Sequence, residues 1–597
     1  MKRLAIISSP DGATEDKRLS ELSIALGVSV EVLPYERTAR SAQDLLSQLQ
    51  PGPCSLAMHM DTLRQVHRAL RPGTTLEQLL DDRFQEVLIY GVPNDPDING
   101  TLSALTDGVI RGLVLQRNQA VRYSFPREAS EFCRQLAGHS LLTDQEHEAP
   151  VFELRPECGL VDSIMIANER PAFVRLKTEA RDIFFLAGRM PNLDKPLDGD
   201  TGLGDDCIPL VPPIIFLRRC FAESCWKSSE PAARLIIDDP LLTNTYGALD
   251  FQTLKTSMRR LGYGASIAFI PWNHWRSSRR TASRLLGGES NLSICVHGCD
   301  HTNHEFRLGS AAVLAQKAAL GMQRMAKHQN RVGLSFEDVI VFPQGEFSKA
   351  AIPALRSANY LAAVNTTCFP TDSAPGDLKI ADFLFPAVTR FEGFPIFQRR
   401  YPQGAFGFAL DLFLGKPALI VEHHAYFRDS CKAMEGFVVD LRHMEPSLTW
   451  PDLSELLMRC NLRRTNHDRS LDIQFFTRRF HFAPKETEER RCRLSKFEPD
   501  PDTVERVLVD GRSVSFGFDK DHLTFEVLAV PGQICDIEIV DRPVPAPPIR
   551  GFGTAHNARV LVRRGLSEFR DNTLSRHDGL LKSAERVAKA LKTTGEA

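Results

Sequence analysis

The sequence lacks a long hydrophobic run. Its longest apolar stretch, Ile208 to Leu217, is interrupted by three prolines and is too short to cross a hydrocarbon core of about 30 Å, so no membrane span is expected. The N-terminal run Leu4-Ala5-Ile6-Ile7 has four apolar residues, where a secretory leader needs roughly seven to fifteen and a small-residue cleavage site. The expected location is therefore cytoplasmic. The 13 cysteines are odd in number and form no Cys-x-x-Cys pair, which fits reduced, buried thiols and not a disulfide framework. A basic excess is missing too. Lys and Arg number 73 against 75 Asp and Glu, a net charge of -2, and without a phosphate-neutralising surplus no nucleic-acid partner is expected. Neither Gly-x-Gly-x-x-Gly nor a Walker motif occurs in the first 125 residues, so no nucleotide is implied there.

What is present is length and regularity. A chain of 597 residues exceeds what one hydrophobic core supports, and its patterning divides it into parts. In 1–125, the apolar runs Leu4 to Ser8, Val28 to Leu33, Ser55 to His59 and Glu86 to Gly91 alternate with helical spacing over Asp16 to Leu26, Ser41 to Gln48 and Thr62 to Leu70. This alternation predicts a Rossmann-like α/β domain with a parallel sheet. Residues 126–210 read as a small β-rich insert and linker, with strands over Val151 to Leu154, Ser163 to Ala167, Ala172 to Leu176 and Asp182 to Leu186. The Asp-, Gly- and Pro-rich segment Asp194 to Pro213 is expected as the linker. Residues 446–545 read as a β-sandwich with Asp510-Gly511 as a hairpin turn. Residues 546–597 follow as a linker, begun by the stiff run Val544 to Pro548, and a basic helical tail over Leu580 to Lys592 that packs on its own protein.

The central part, 211–445, is the most regular. Seven apolar runs occur in turn: Leu235 to Ile237, Ala265 to Ile270, Leu292 to Val296, Asp338 to Phe342, Leu361 to Val364, Phe394 to Phe397 and Ala418 to Val421. Helical stretches such as Phe251 to Leu261, Ala311 to Met325 and Ala350 to Ser357 lie between them. Buried parallel strands read as continuous apolar runs, and α/β barrels carry their chemistry at the strands' C-terminal ends. Polar clusters follow nearly every run: Asp238-Asp239, Trp272-Asn273-His274-Trp275, His297 with His301, Gln398-Arg399-Arg400, and His423-His424. Two imidazoles four apart suit one divalent ion. Two adjacent carboxylates at the end of an apolar strand are costly unless paired or metal-bound, and if the strand end twists, one can ligate a metal while the other serves as a base. The indoles of Trp272 and Trp275, with Asn273, are candidates for contact with the apolar faces of sugar rings, and core packing is the competing reading.

The series Ile236-Ile237-Asp238-Asp239, His297-x-x-x-His301, Phe342-Pro343-Gln344-Gly345 and a late strand ending in His423-His424 resembles the polysaccharide deacetylase family (NodB-homology, carbohydrate esterase) over about 200 residues. The resemblance implies a (β/α)7-type barrel in a multidomain α/β chain. It implies Asp238 as general base, Asp239, His297 and His301 as ligands of a divalent metal, and His423 or His424 as general acid. Zinc is the ion that such mixed ligands suit. The implied reaction is removal of an N-acetyl or similar acyl group from a carbohydrate or glycoconjugate. The family's third motif carries an arginine that positions the catalytic Asp, and Val341-Phe342-Pro343-Gln344 lacks it. Either Arg399 or Arg400, otherwise read as substrate-binding, replaces it, or the chemistry has drifted. Two other readings stand beside this one: a glycoside hydrolase using Asp238 or Asp239, and a degenerate barrel that binds a glycan or protein partner without turnover.

Overall fold

The computed structural model describes residues 2–35, 52–68, 80, 83–93, 97–118, 120–143, 147–156, 159–197, 203–228, 230–287, 291–484, 488–543, 549 and 551–573. The helix expected over Ser41 to Gln48, the run Val544 to Pro548 and the tail Leu580 to Lys592 lie outside the described residues.

The seven central apolar runs become seven strands: β1 (Ala233–Asp238), β2 (Ala265–Phe269), β3 (Leu292–His297), β4 (Val339–Val341), β5 (Ala362–Asn365), β6 (Ile396–Gln398) and β7 (Ala418–His423). They form one parallel sheet in the order β6-β5-β4-β3-β2-β1-β7. The sheet nearly closes on itself. Just past β6, Arg400 bridges to Ile420 of β7, with its N–H on the Leu419 carbonyl and its carbonyl taking the Val421 N–H, both at 2.9 Å.

Alternation decides which side chains fill the barrel. Ile236, Ala268, Cys295, Val339, Val341, Ala362, Val364, Phe397 and Leu419 form one cluster inside. Their neighbours Ile237, Ile267, Ile294, Ile340 and Ile420 join a second cluster with the surrounding helices. Below the inner cluster lies Arg234, fully buried, donating to Ser266 Oγ (2.9 Å), Ser293 Oγ (2.7 Å), the Ala265 carbonyl (2.8 Å) and Asp452 Oδ1 (3.0 Å). Asp452 precedes helix α2 (Leu453–Arg459), whose Leu453, Leu456 and Leu457 join the inner cluster and close that end. The strands' C-terminal end is left as the working face.

The N-terminal strands Arg3–Ser8, Val30–Pro34, Cys54–His59 and Phe84–Tyr90 pair in parallel. Asp182–Leu186 adds to them in parallel, and Arg170–Lys177 and Val161–Ala167 continue the same sheet antiparallel. Three of the four strands expected as a separate insert thus extend the N-terminal sheet, while Val151 to Leu154 falls in His147–Leu154, which pairs antiparallel with Ile110–Asn118 in a two-stranded sheet of its own. The segment read as a linker also differs, because its last residues open helix α1 (Cys207–Phe221) with Pro212 and Pro213 inside. Prolines remove helical hydrogen bonds, but Leu210, Val211, Ile214, Ile215, Phe216 and Leu217 are all buried in the main core, and that burial outweighs propensity.

The residues after the barrel form a four-stranded sheet and five strands of a six-stranded one, whose edge strand Lys227–Ser228 precedes the barrel. The two sheets share a core that includes Phe475, Phe480, Leu494, Val507, Phe525 and Ile537. Val509 pairs with Arg512 across Asp510-Gly511, both with positive φ (50° and 74°), the geometry of a two-residue hairpin turn. Among the described residues no helix is long and apolar enough to cross a membrane. The last helix among the described residues, α3 (Thr554–Asn572), returns to the barrel.

Candidate active site and metal centre

The β1 strand ends on Asp238, which shares the inward face with Arg234 and Ile236, and is followed by Asp239 in the left-handed region at φ +82°. A non-glycine residue is strained there. The turn lets two consecutive carboxylates face one site, which an extended strand would forbid. β3 delivers His297 in the same way, and the loop after it delivers His301. Glu305 shapes that loop by accepting the N–H groups of Cys299 (2.9 Å), Asp300 (2.8 Å) and His301 (3.2 Å).

Asp239 Oδ1 lies 3.6 Å from His297 Nε2 and 3.1 Å from His301 Nε2. The His297 Nδ1 is held by the Val341 carbonyl at 3.0 Å, which fixes the ring and leaves Nε2 free as a ligand. Asp239 Oδ1 is buried without a hydrogen bond. One ligand atom from each of the three residues falls within 4.8 Å of the others. Burial lowers the His301 pKa to about 4 against the opposing pull of Asp239, so its imidazole is neutral near pH 7. Two neutral imidazoles and a carboxylate are the donor set of an open catalytic metal site, and these residues fit a divalent ion. Cys299, Asp300 and Glu305 also cluster, but Glu305 is committed to backbone N–H groups and Asp300 to Arg324.

Asp238 takes a bidentate pair from Arg399, Nη1 to Oδ1 and Nη2 to Oδ2, each 2.7 Å. Burial alone would raise the Asp238 carboxyl most, but the charge and hydrogen bonds of Arg399, with His297 and His423 nearby, together outweigh it and hold the pKa at about 2. In register opposite Asp238 on β7 is His423, whose ring also stacks on Tyr401 with centroids 6.4 Å apart. His424 has other surroundings. Its ring meets Tyr246 edge-on at 5.6 Å and its Nε2 lies 3.6 Å from Asp571 Oδ1 of α3. Gly247 makes this approach possible, since a Cβ there would fall 2.2 Å from His424 Nδ1.

No family model matches the chain, and no curated protein matches it by sequence. By structure, it is similar to carbohydrate deacetylases and family 4 carbohydrate esterases. Agd3, described as a novel carbohydrate deacetylase, aligns at a TM-score of 0.43 and 10% identity, over 90% of this chain and 98% of its own. A family 4 carbohydrate esterase from Streptomyces lividans aligns at 0.25 and 13%, over 37% of this chain and 91% of the esterase. A CE4 family pseudoenzyme from Bacillus anthracis aligns at 0.25 and 9%, over 37% and 64%.

The remaining expected positions differ in accessibility. Arg399 is spent on Asp238, and Arg400 pairs with Asp411 (2.6 and 3.0 Å) and Gln398 (3.0 Å), so neither guanidinium is free for substrate. Asn273 is fully buried. One face of Trp272 is covered by Arg324, 5.0 Å from the ring centre. Trp275 is 55% exposed. Gln344, which stands in the third motif, turns instead to the loop after β3, bonding Asn303 (3.1 Å) and the His304 N–H (3.0 Å). Sequence reasoning missed Tyr246, Arg564 and Asp571, because none lies at the end of an apolar run and two of them belong to a helix more than 130 residues beyond β7.

Proposed function

We propose that the barrel is a metal-dependent hydrolase that removes an acetyl or similar acyl group from a carbohydrate. The observation that carries this reading is the meeting of the Asp239, His297 and His301 donor atoms beside the Asp238–Arg399 pair. A divalent ion held by those three residues, with zinc the best match to their chemistry, would polarise the acyl carbonyl and acidify a bound water. Asp238, ionised and fixed by Arg399, takes the proton from the attacking water. His423, in register beside Asp238 on the neighbouring strand β7, gives a proton to the leaving amine. Arg399 does not touch the substrate in this scheme. It positions Asp238, the task of the missing third-motif arginine, which removes the main support for a barrel without turnover.

A glycoside hydrolase of two carboxylates needs one of them protonated, with a raised pKa. Burial tends to raise both Asp238 and Asp239, but Arg399 holds the first below its ordinary range and His301 and His297 the second, so neither is poised as that acid. The test is elemental analysis of the purified full chain together with acetate release from N-acetylated amino-sugar oligomers. About one divalent ion per chain is expected, lost when His297 and His301 are both replaced by Ala. Full metal occupancy in that variant would sink the assignment.

A further inference from the structure

α3 crosses the working face and is fastened to the loops after β1, β2 and β3, the strands that lead into Asp239, Trp272 and His297. His556 Nε2 meets Asp300 Oδ2 at 2.8 Å, Glu568 pairs with Arg276, Tyr246 donates to Asp571 Oδ2 at 2.9 Å, and Asn572 Oδ1 accepts the Gly247 N–H at 2.8 Å. Residues 556, 560, 564, 568 and 571 recur at helical spacing on this inward face, and Val560 is fully buried. The outward face is apolar instead, with Leu561, Val562, Leu566 and Phe569 each more than half exposed.

Between the anchors sits Arg564, only 2% exposed. Its Nε and Nη2 are buried without a hydrogen-bond partner, and among the described residues no carboxylate pairs with it. Its charge acts on Asp239, His301 and Tyr246, so the guanidinium faces the metal-ligand cluster without touching it. A buried charge with unused donors is costly, and here those donors lie on the helix between its anchors to Asp300, next to His301, and to Tyr246 and Gly247 in the loop that follows Asp239. A planar fork of N–H groups matches a carboxylate or phosphate.

We propose that α3 forms one wall of the substrate pocket and that Arg564 binds an anionic group there, so that the carbohydrate taken by this site carries a carboxylate or phosphate. The proposal rests on the deacylase reading for the rest of the substrate, not for the anion.

The experiment is a ligand-observed NMR titration of the full chain with two probes, N-acetylglucosamine and its 6-phosphate, before and after removal of metal by a chelator. The anionic probe is expected to bind about ten-fold or more tighter in both states, the gain of a charge-assisted pair. Arg564→Gln should erase that preference while leaving the neutral sugar unchanged. Arg564→Lys should keep part of it, because the charge remains and the fork is lost. Arg559→Gln, on the exposed side of α3, should change nothing. Circular dichroism and melting curves accompany each variant, and Arg564→Lys decides the matter if Arg564→Gln does not fold. No preference in the natural protein, failure to bind either probe at millimolar concentration, a preference seen only with metal, or one that survives Arg564→Gln would each overturn the proposal. If the Arg564-dependent preference holds but no acetate is released, the deacylase reading falls and this one stands.

Discussion

Arg399 and Asp238 face each other inside the barrel through two parallel hydrogen bonds of 2.7 Å, with both side chains at most 4% exposed. They are 161 residues apart in the chain, and β6 and β1 are separated in the ring by β7 alone. Removing one partner of such a buried pair strands the other charge. Arg399→Ala should therefore cost about 3–5 kcal/mol of stability, read as a lowered melting temperature. Arg399→Lys keeps the charge but not the fork, so it should fold while acetate release falls by roughly 10²-fold, the scale of a lost catalytic alignment. Unchanged activity in the Lys variant would remove Arg399 from the mechanism.

The two adjacent aspartates should separate by assay. Asp238→Asn is expected to retain the metal and lose hydrolysis, because it ends a proton role. Asp239→Asn is expected to lose metal affinity, because an amide is a poorer ligand than a carboxylate. Metal-to-protein ratios measured on folded variants check this, and equal metal loss in both would show that the roles are not divided.

His423 and His424 should also part. His423→Ala is expected to slow turnover by roughly 10²- to 10⁴-fold with the metal retained. His424→Ala should act mainly on the docking of α3 through Asp571, seen as a lower melting temperature and faster proteolysis after residue 541. The opposite pattern would make His424 the acid.

A pH effect is expected from the N-terminal domain. Asp16 is buried, accepts a hydrogen bond from Tyr90, and has its carboxyl raised by burial from an ordinary value near 3.8 to about 6, with the Tyr90 and Ser8 hydroxyls opposing. The folded state thus binds the proton more tightly than the unfolded chain, and stability falls as pH rises from 3.8 through about 6. Above that range the cost is about 3 kcal/mol. Asp16→Asn, which still accepts from Tyr90, should therefore be stabilised relative to the natural protein at pH 7 but not at pH 4. Equal differences in melting temperature at the two pH values would contradict this.

The barrel was legible because each of its strands is buried on both faces, so apolar runs such as Leu235 to Ile237 and Ala418 to Val421 mark strands whatever surrounds them. The metal-ligand candidates were legible for a related reason, since Asp238-Asp239 and His297 follow such runs directly, where an ionisable group needs a chemical purpose. α1 was not legible. Pro209, Pro212 and Pro213 speak for a linker, and only the burial of Leu210, Ile214 and Phe216 against the core makes a helix there.

By itself, then, the sequence determined which segments are buried strands and which ionisable side chains stand at their ends, because periodicity and local adjacency are properties of the chain. Only the tertiary structure decided that Arg399 pairs with Asp238, that His423 stands in register with Asp238 while His424 lies beside Asp571, and that α3 carries the buried Arg564 between loops that hold Asp239 and His301. Each of these depends on which distant segments become neighbours when the barrel closes. A guanidinium's partner is set by the charge that folding places within hydrogen-bond reach, and no spacing along the chain encodes that distance.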